Sequence, residues 1–246
     1  MPNLQGTDFF VGDIHGAFHL LAEALENVGF NPAVDRLIAV GDLIDRGEHN
    51  DMALEWLRQP FFHTVRGNHE ELFLEWYELR HDRDSRKLFE KERYFPNGGS
   101  WVEGLDSTQQ QRFAEQFEQL PYFLSVGAPD GRTVGVVHAE LPDGVAWPQL
   151  ICQPPNEDLL HSMTWGRHRL RHARRKARGL ESPTRDPLDC NHIRGLALLI
   201  CGHFTVSKPK LLGNILYLDT GGWNGNGHGQ FTVMRLNDAL QKISAP

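Results

Sequence analysis

Five short apolar segments of the chain each end in residues that can bind a metal ion. Three of these ends carry the patterns Gly-Asp-x-His-Gly, Gly-Asp-x-x-Asp-Arg-Gly and Gly-Asn-His-Glu, and two later ends carry a histidine. Carboxylate, imidazole and amide groups without thiolates suit manganese, iron or zinc better than a structural zinc finger. One such end is weak evidence, but five together predict a shared metal site. The candidate ligands are Asp13, His15, Asp42, Asn68, His138 and His203.

Two ions fit this ligand set better than one. Six candidate ligands exceed the number that a tetrahedral ion needs, so we expect two divalent ions that share a carboxylate. Asp42 is expected to bridge them, because it follows the middle one of the three leading segments. Manganese is the first choice of metal, and iron and zinc also accept these ligands.

Phosphate ester hydrolysis is the chemistry that most needs such a pair. Enzymes accelerate this slow reaction by up to ~10²¹-fold, whereas a positioned acid or base supplies only ~10²–10⁴-fold. Two ions ~3.5–4 Å apart can lower the pKa of a shared water and hold the phosphoryl oxygens. The chain has no Gly-x-x-x-x-Gly-Lys loop to cradle a phosphate, so arginines would have to assist the ions.

A purely structural explanation exists for the third segment end. Asn68 could cap a helix by accepting a hydrogen bond from the backbone N–H of residue 71, and Glu71 would complete a capping box. Capping explains this one end and leaves the other four unexplained.

The periodicity of the sequence predicts the elements that must bring these residues together. In the first third, short apolar strands alternate with amphipathic helices, which is typical of βαβ units around a parallel sheet. The carboxyl ends of such strands meet at the edge where ligands bind. Glycine and proline between the later strands favour hairpins. The predicted strands are 8–11, 37–40, 61–65, 122–126, 133–137, 196–200, 215–218 and 231–235, and the first helices are 18–28 and 52–57.

We therefore predict an α/β (α+β) fold with a two-layered β core flanked by helices, in a single domain over residues 1–246. Residues 82–120 are expected to be polar and helical, and 141–190 a long, partly irregular excursion. The hydrophobic content of 40% can form a core without disulfides. The widely spaced Cys152, Cys190 and Cys201 are expected to be small buried residues in a cytoplasmic protein.

The charge distribution limits the possible partners. A net charge of −7 argues against wholesale nucleic-acid binding, and no stretch is long and apolar enough to predict a membrane span. Segment 167–179 is the exception, with seven Arg or Lys and no acid. Such a run is most often a solvated, mobile loop. The functional alternative is a binding surface for acidic or phosphorylated partners.

The three patterns and two later histidines resemble the metal-dependent phosphoprotein phosphatases, which include eukaryotic serine/threonine phosphatases, the phage lambda phosphatase and small bacterial members. They occur in the family's order between residues 12 and 203. The resemblance implies the αββα sandwich of the calcineurin-like metallophosphoesterases. It also implies one metal site of Asp13, His15 and Asp42, and a second of Asp42, Asn68, His138 and His203.

The same resemblance implies roles for four further residues. His69 would be the general acid that protonates the leaving oxygen, and Asp45 the carboxylate that orients His69 and keeps it protonated. Arg46 would bind the phosphate. Arg167, in a Trp-Gly-Arg sequence similar to the Trp-small-Arg pattern of bacterial members, would assist it.

Some residues depart from the family pattern or extend it. Glu140 stands in His-Ala-Glu where glycine is usual, and we expect its carboxylate to point to solvent rather than support the site. Phe204 changes one wall of the pocket. Asp219, at another strand end, is expected either to orient a ligating histidine or to stabilise a turn.

Together these residues predict a protein phosphatase that hydrolyses phosphoserine and phosphothreonine, and also phosphotyrosine. A water or hydroxide bridging two metals would attack directly, and phosphorylated proteins or peptides would be the partners. The enzymatic alternative is a symmetrical bis(5'-nucleosyl)-tetraphosphatase, a branch that usually lacks the equivalent of Asp45 and has aspartate in place of Glu70. The non-enzymatic alternative is a catalytically silent metal-binding scaffold that docks acidic partners through 167–179.

Overall fold

Two β-sheets lie face to face in the computed structural model, which describes residues 1–84, 92–179, 191–224 and 229–244. None of the described helices is long and apolar enough to cross a bilayer. The strands are β1 (Asp8–Val11), β2 (Arg36–Ala39), β3 (Phe62–Thr64), β4 (Phe123–Gly127), β5 (Thr133–Val137), β6 (Leu198–Cys201), β7 (Lys210–Leu212), β8 (Ile215–Tyr217) and β9 (Met234–Arg235). The α-helices are α1 (Phe18–Asn27), α2 (Met52–Trp56), α3 (Asn68–Leu79), α4 (Ser107–Glu118), α5 (Trp147–Cys152), α6 (Glu157–Trp165), α7 (His168–Ala177) and α8 (Leu236–Ser244).

The first sheet has the strand order β3-β2-β1-β9. β1, β2 and β3 are parallel, with Asp8 opposite Arg36 and Leu37 opposite Phe62, and β9 adds an antiparallel edge. Parallel neighbours need a crossover connection, which α1 and α2 supply. This half of the fold follows the predicted alternation of strands and helices closely.

The second sheet has the strand order β4-β5-β6-β8-β7. β4 and β5 form a predicted hairpin, but β5, β6 and β8 are parallel, so the hairpin prediction is wrong between them. The physical reason is that α5, α6 and α7 form a crossover between β5 and β6, and that β7 lies between β6 and β8 in the chain. The sequence pattern does not predict β7, a half-buried edge strand.

Side-chain alternation along the strands divides the core into layers. Phe10 belongs to the same buried cluster as Val136 and Ile200 of the second sheet, in the space between the sheets. Phe9 points the other way, into the cluster that α1, α3 and α4 cover. A third cluster lies between the second sheet and helices α5, α6 and α7. The resulting order of helices, sheet, sheet and helices confirms the predicted fold class, while the single domain over 1–246 stays a prediction.

The basic segment 167–179 is mostly helical, so the prediction of a mobile loop is wrong. Residues His168–Ala177 form α7. Arginine, lysine, alanine and leucine all favour helices, and Leu170 anchors α7 by packing into the third core cluster. The excursion 141–190 is thus largely ordered as far as Ala177, whereas 180–190, with Cys190, lies outside the described residues.

Two smaller predictions have mixed outcomes. The polar stretch 82–120 contains two 3₁₀ turns, Phe95–Asn97 and Gly99–Gly104, followed by α4, and 85–91 lies outside the described residues. Cys201 is buried as predicted, but Cys152 is exposed.

Candidate active site

The carboxyl ends of five strands meet at one edge of the two sheets and bring the predicted ligands together. Hydrogen bonds join the sheets there. The His203 N–H donates to Asp13 Oδ1 at 3.0 Å, and His138 Nδ1 lies 2.8 Å from the Val40 carbonyl oxygen. Two candidate ligand atoms, His138 Nε2 and Asn68 Oδ1, lie 2.9 Å apart. Four ligands follow strands of the first sheet and two follow the second: Asp13, His15, Asp42 and Asn68, then His138 and His203.

The backbone at this edge is strained. In the part of the chain that the structure describes, five residues other than glycine have a positive φ. Few non-glycine residues adopt this conformation, and strain of this kind concentrates at functional sites. All five are predicted site residues, with φ between 46° and 73°: His15, Asp42, Asp45, Arg46 and His203.

Two glycines of the patterns allow the strand ends to approach one another. A Cβ on Gly67 would collide with the Asp42 carboxylate, and a Cβ on Gly202 would collide with the Asp13 carboxylate. Glycine is therefore needed where the backbone passes directly beside a candidate ligand.

Asp42 lies at the centre of the site, as expected of a bridging residue. Its Oδ2 lies 3.4 Å from His138 Nε2 and 3.7 Å from His15 Nε2, and its Oδ1 accepts a hydrogen bond from the His69 N–H. Burial alone would raise the pKa of Asp42, but the surrounding imidazoles, His138 first among them, hold that pKa below its ordinary value. Asp42 is therefore a carboxylate at neutral pH.

Burial favours the neutral form of the imidazoles of the candidate ligands. Burial lowers the pKa values of His15 and His138, and burial together with the neighbouring His138 lowers that of His203 to about 2. The Nδ1 atoms of His15 and His138 face the carbonyl oxygens of Ile44 and Val40, which can only accept hydrogen bonds. Nδ1 therefore carries the proton and Nε2 a lone pair, which is the form that binds metals.

Two groups of donors could each hold a divalent ion. Within each group the donor atoms lie within 4.8 Å of one another, and Asp42 belongs to both groups. One group, Asp42 with His138 and His203, lies within the predicted second site. The other contains Asp42 and His15 as predicted, but His69 completes it in place of Asp13.

Asp13 borders these groups, and its environment fits the presence of cations. Burial and the negative charges of Asp219 and Asp42 raise the pKa of Asp13 well above its ordinary value. Carboxylates crowded into a buried site repel one another, and a divalent ion would offset this repulsion. With its carboxylates, neutral imidazoles and amide oxygen, the donor set fits manganese, iron or zinc.

Two guanidinium groups face the same cluster. Arg46 Nη1 lies 2.6 Å from His15 Nε2, and Arg46 Nη2 lies 2.9 Å from His69 Nε2. Arg167 Nε donates to His203 Nε2 at 2.7 Å. Both predicted phosphate-binding arginines thus reach the centre of the site, where their planar groups suit the oxygens of a phosphate.

His69 and Asp45 form a buried pair. His69 Nδ1 lies 2.6 Å from Asp45 Oδ2, and Asp45 Oδ1 accepts hydrogen bonds from the Tyr94 hydroxyl and Trp101 Nε1, each at 2.7 Å. Burial lowers the pKa of His69, but the charges of Asp42 and Asp45 outweigh burial and raise it overall. A histidine in this environment can act as a general acid at neutral pH.

Tyr94, Trp101 and Trp223 belong to the site although no motif marks them. The first two hold Asp45, and the Arg46 guanidinium lies 5.0 Å from the centroid of the Trp223 ring in a cation–π arrangement. Both tryptophans follow glycine-containing turns, Gly-Gly-Ser-Trp and Gly-Gly-Trp, which is the hint that the sequence offers for them.

Glu70 joins the ends of β2 and β3, and its position shows that the capping hypothesis is wrong. Helix α3 begins at Asn68, so Gly67 is the capping position, and Glu70 instead of Glu71 makes the reciprocal hydrogen bond. The Glu70 carboxylate accepts from the N–H groups of Gly67 (2.8 Å), Asp42 (3.0 Å) and the residue after Asp42 (2.7 Å). Burial and the charge of Asp42 raise the pKa of Glu70 to about 7.

Glu140 is buried, so the expectation that it points to solvent is wrong. Its carboxylate accepts hydrogen bonds from the Arg169 N–H at 3.1 Å and from the Tyr217 hydroxyl at 3.0 Å. Glu140 therefore ties the start of α7 to β8 and fixes the segment that carries Arg167.

Asp219 has a structural role. Its carboxylate accepts hydrogen bonds from the Thr205 hydroxyl at 2.7 Å and from the Gly221 N–H at 2.9 Å. Of the two roles considered for it, these bonds favour the stabilisation of a turn over the orientation of a ligating histidine.

Comparison with known proteins identifies the family. A profile of the calcineurin-like phosphoesterases matches residues 9–206. The chain belongs to this family. Serine/threonine-protein phosphatase 2 of Salmonella typhimurium is 30% identical to this calcineurin-like phosphoesterase over 220 residues, or 88% of each chain.

Other relatives of this calcineurin-like phosphoesterase have a different specificity. A symmetrical bis(5'-nucleosyl)-tetraphosphatase of Actinobacillus succinogenes is 44% identical over 64 residues, which cover 25% of this chain and 23% of the relative. A solved structure provisionally assigned as a diadenosine tetraphosphatase has the same fold, with a TM-score of 0.55 at 19% identity and 96% of both chains covered. The protein is thus a phosphoester hydrolase, and its family implies divalent metal ions.

Proposed function

We propose that this calcineurin-like phosphoesterase is a protein phosphatase that acts on phosphoserine and phosphothreonine, and also on phosphotyrosine. Phosphorylated proteins or peptides are the proposed partners, manganese the proposed metal and the cytoplasm the proposed location. The two described free cysteines, Cys152 and Cys201, fit a reducing compartment.

The Asp45–His69 pair is the observation that carries the proposal. Cleavage of phosphoserine or phosphothreonine releases an alkoxide, a strong base that must gain a proton as it leaves. Asp45 binds one ring nitrogen of His69, and the other, Nε2, faces the centre of the site, 2.9 Å from Arg46 Nη2 and 3.9 Å from Asp42 Oδ2. The raised pKa of His69 keeps a proton available for the leaving oxygen.

The remaining residues of the site have complementary roles in this proposal. Bound divalent ions would supply Lewis-acid charge that activates water and stabilises the phosphoryl oxygens. Arg46 and Arg167 orient the phosphate through their guanidinium groups. Water attacks the phosphorus atom as the bond from phosphorus to the leaving oxygen breaks, and His69 gives its proton to that oxygen. The attacking water loses a proton to the solvent, and His69 regains one. Because water is the nucleophile, no covalent phosphoenzyme forms. The proposed metal ligands are Asp13, His15, Asp42, Asn68, His138 and His203.

The identity of 30% to a serine/threonine-protein phosphatase across 88% of both chains supports this substrate class. The symmetrical tetraphosphatase is the second candidate, favoured by the higher identity of 44% over 64 residues. Asp45 and Glu70 weigh against it, since the tetraphosphatase branch usually lacks the first carboxylate and has aspartate at the second position.

A single preparation loaded with manganese can decide between the candidates. It should be offered a phosphoserine peptide, p-nitrophenyl phosphate and diadenosine tetraphosphate, with a His69→Asn variant as the control for contaminating phosphatases. We expect the highest kcat/KM for the phosphopeptide. Preferred cleavage of the dinucleotide would overturn the proposed substrate class, and inactivity with every divalent metal tested would support the scaffold alternative.

A further inference from the structure

A strongly basic pocket adjoins the candidate active site. It is a cavity of about 490 Å³ between α6 and α7. Arg167 lines this pocket and also donates to His203 Nε2, so the pocket and the active site share a wall. Arg171, Arg175, His161 and His168 also line it, and none of its described lining residues is acidic. We refer to it as the basic pocket.

The basic residues of α7 fall into two groups. Arg169 is buried, donates to the Leu141 carbonyl oxygen and forms an ion pair with Asp143 at 3.0 Å, so it supports the fold. Arg174 lies over the Phe204 ring at 4.1 Å. These two arginines contact other parts of the fold, and Arg167, Arg171 and Arg175 line the pocket.

The spacing of the pocket-lining arginines concentrates their charge. Arg167, Arg171 and Arg175 are four residues apart, so they lie along one side of the chain where it is helical. Like charges at this spacing repel one another and destabilise a helix. Burial and the charge of Arg171 lower the pKa of Arg167, which shows how closely the positive charges are placed. A bound anion would relieve the repulsion between Arg167 and Arg171.

Trp165 separates the basic pocket from the ligating residues. Its ring meets the His203 ring edge-on, with the centroids 6.0 Å apart, and also stacks with the His161 ring. A substrate whose phosphate lies at the active site could therefore extend along Arg167 into the basic pocket, past the Trp165 ring.

We propose that the basic pocket binds a second phosphate group of the same substrate, carried two to four residues from the phosphoserine or phosphothreonine that is cleaved. The spacing follows from the helix rise of about 1.5 Å per residue, which places Arg171 about 6 Å and Arg175 about 12 Å along α7 from Arg167. An extended peptide covers these lengths in about two and four residues. The inference rests on the proposed function and names multiply phosphorylated proteins as its substrate class.

The test compares two peptides of identical sequence, one with a single phosphoserine and one with a second phosphoserine three residues away. The readout is the ratio of their kcat/KM values, which cancels any general loss of activity. We expect a ratio of about 10 for the wild type, because the second phosphate gains charge-assisted hydrogen bonds. Arg171→Gln should reduce the ratio to about 2. Arg112→Gln, which removes an exposed arginine from α4, should keep the wild-type ratio.

The outcomes separate the inference from the proposed function. Equal kcat/KM values for the two peptides in the wild type, or a ratio that survives Arg171→Gln, would overturn the inference alone. Cleavage of diadenosine tetraphosphate with no cleavage of either peptide would overturn both. Arg171→Gln removes a repulsive charge from an exposed position, so a melting temperature at or above that of the wild type confirms that the variant is folded.

Discussion

Replacing Asp45 with asparagine should separate the role of His69 as an acid from the rest of the catalytic machinery. Asp45 Oδ1 accepts from Tyr94 and Trp101, and the amide oxygen of asparagine can keep both bonds. The amide nitrogen must then face His69 Nδ1 where Oδ2 stood, 2.6 Å away. Two N–H donors would oppose each other there, so His69 must move its proton to Nε2 and lose its ionic partner.

The size of the effect follows from this lost bond. A hydrogen bond to a charged group contributes about 1.5–3 kcal/mol. Each ~1.4 kcal/mol added to the activation free energy lowers the rate tenfold, so the kcat for a phosphoserine peptide should fall about 10- to 150-fold. The fall for p-nitrophenyl phosphate should be less than about fivefold, because its leaving group is a weak base and needs little help from a general acid.

The pH dependence supplies an independent readout. The pKa of His69 is raised, so its acid form persists to higher pH, and kcat should decline above that pKa. Asp45→Asn removes one of the charges that raise the pKa, so the alkaline limb of the kcat profile should move to lower pH. Tyr94→Phe is the matched control, because it removes one bond to Asp45 and leaves the His69–Asp45 contact in place. Equal losses on both substrates with an unmoved alkaline limb would refute the assignment of His69 as an acid held by Asp45.

Three further predictions concern the neighbouring residues. Removal of divalent ions with a chelator should abolish activity. In agreement with this, Asp42→Asn should reduce the metal content measured by elemental analysis, because Asp42 belongs to both donor groups. Trp223→Ala should raise KM about two- to thirtyfold with a smaller change in kcat, since the cation–π contact with Arg46 contributes about 0.5–2 kcal/mol. An unchanged KM would contradict a role of Trp223 in positioning Arg46. Glu140→Gln should lower the free energy of unfolding in urea by about 1–3 kcal/mol, because one of its buried hydrogen bonds would lose its acceptor, while metal content stays the same.

The strand ends of the candidate site are predictable from the sequence because their signals are local. An apolar run that leads to glycine followed by aspartate or asparagine marks both the end of a strand and a possible ligand, and β1, β2 and β3 obey this pattern within one or two residues of the predicted bounds. The rule that ligands collect at the carboxyl ends of parallel strands then places these residues together before any coordinates are known.

The residues that hold the site residues in place are not predictable in the same way. Tyr94 and Trp101 reach Asp45 across 49 and 56 residues of sequence, through turns whose conformation depends on the packing around them. Glu140 resembles a surface residue in its sequence context, and only the hydroxyl of Tyr217 and the start of α7 explain its burial. Contacts of this kind produce no periodic pattern in the sequence.

The error over segment 167–179 has a related cause. Its charge density is typical of solvated loops, yet the same residues are good helix formers. Leu170 packs into the core and Arg169 finds partners in Leu141 and Asp143, so a few inward contacts are enough to hold the helix.

The position of the candidate ligands on two separate sheets has a consequence for thermal stability. Asp42 comes from one sheet, and His138 and His203 come from the other. An ion held by all three would act as a cross-link between the halves of the sandwich and would be released on unfolding. By mass action, a free metal concentration of 100 times Kd adds about 2.7 kcal/mol to the apparent stability. The melting temperature should therefore rise with the free concentration of the metal.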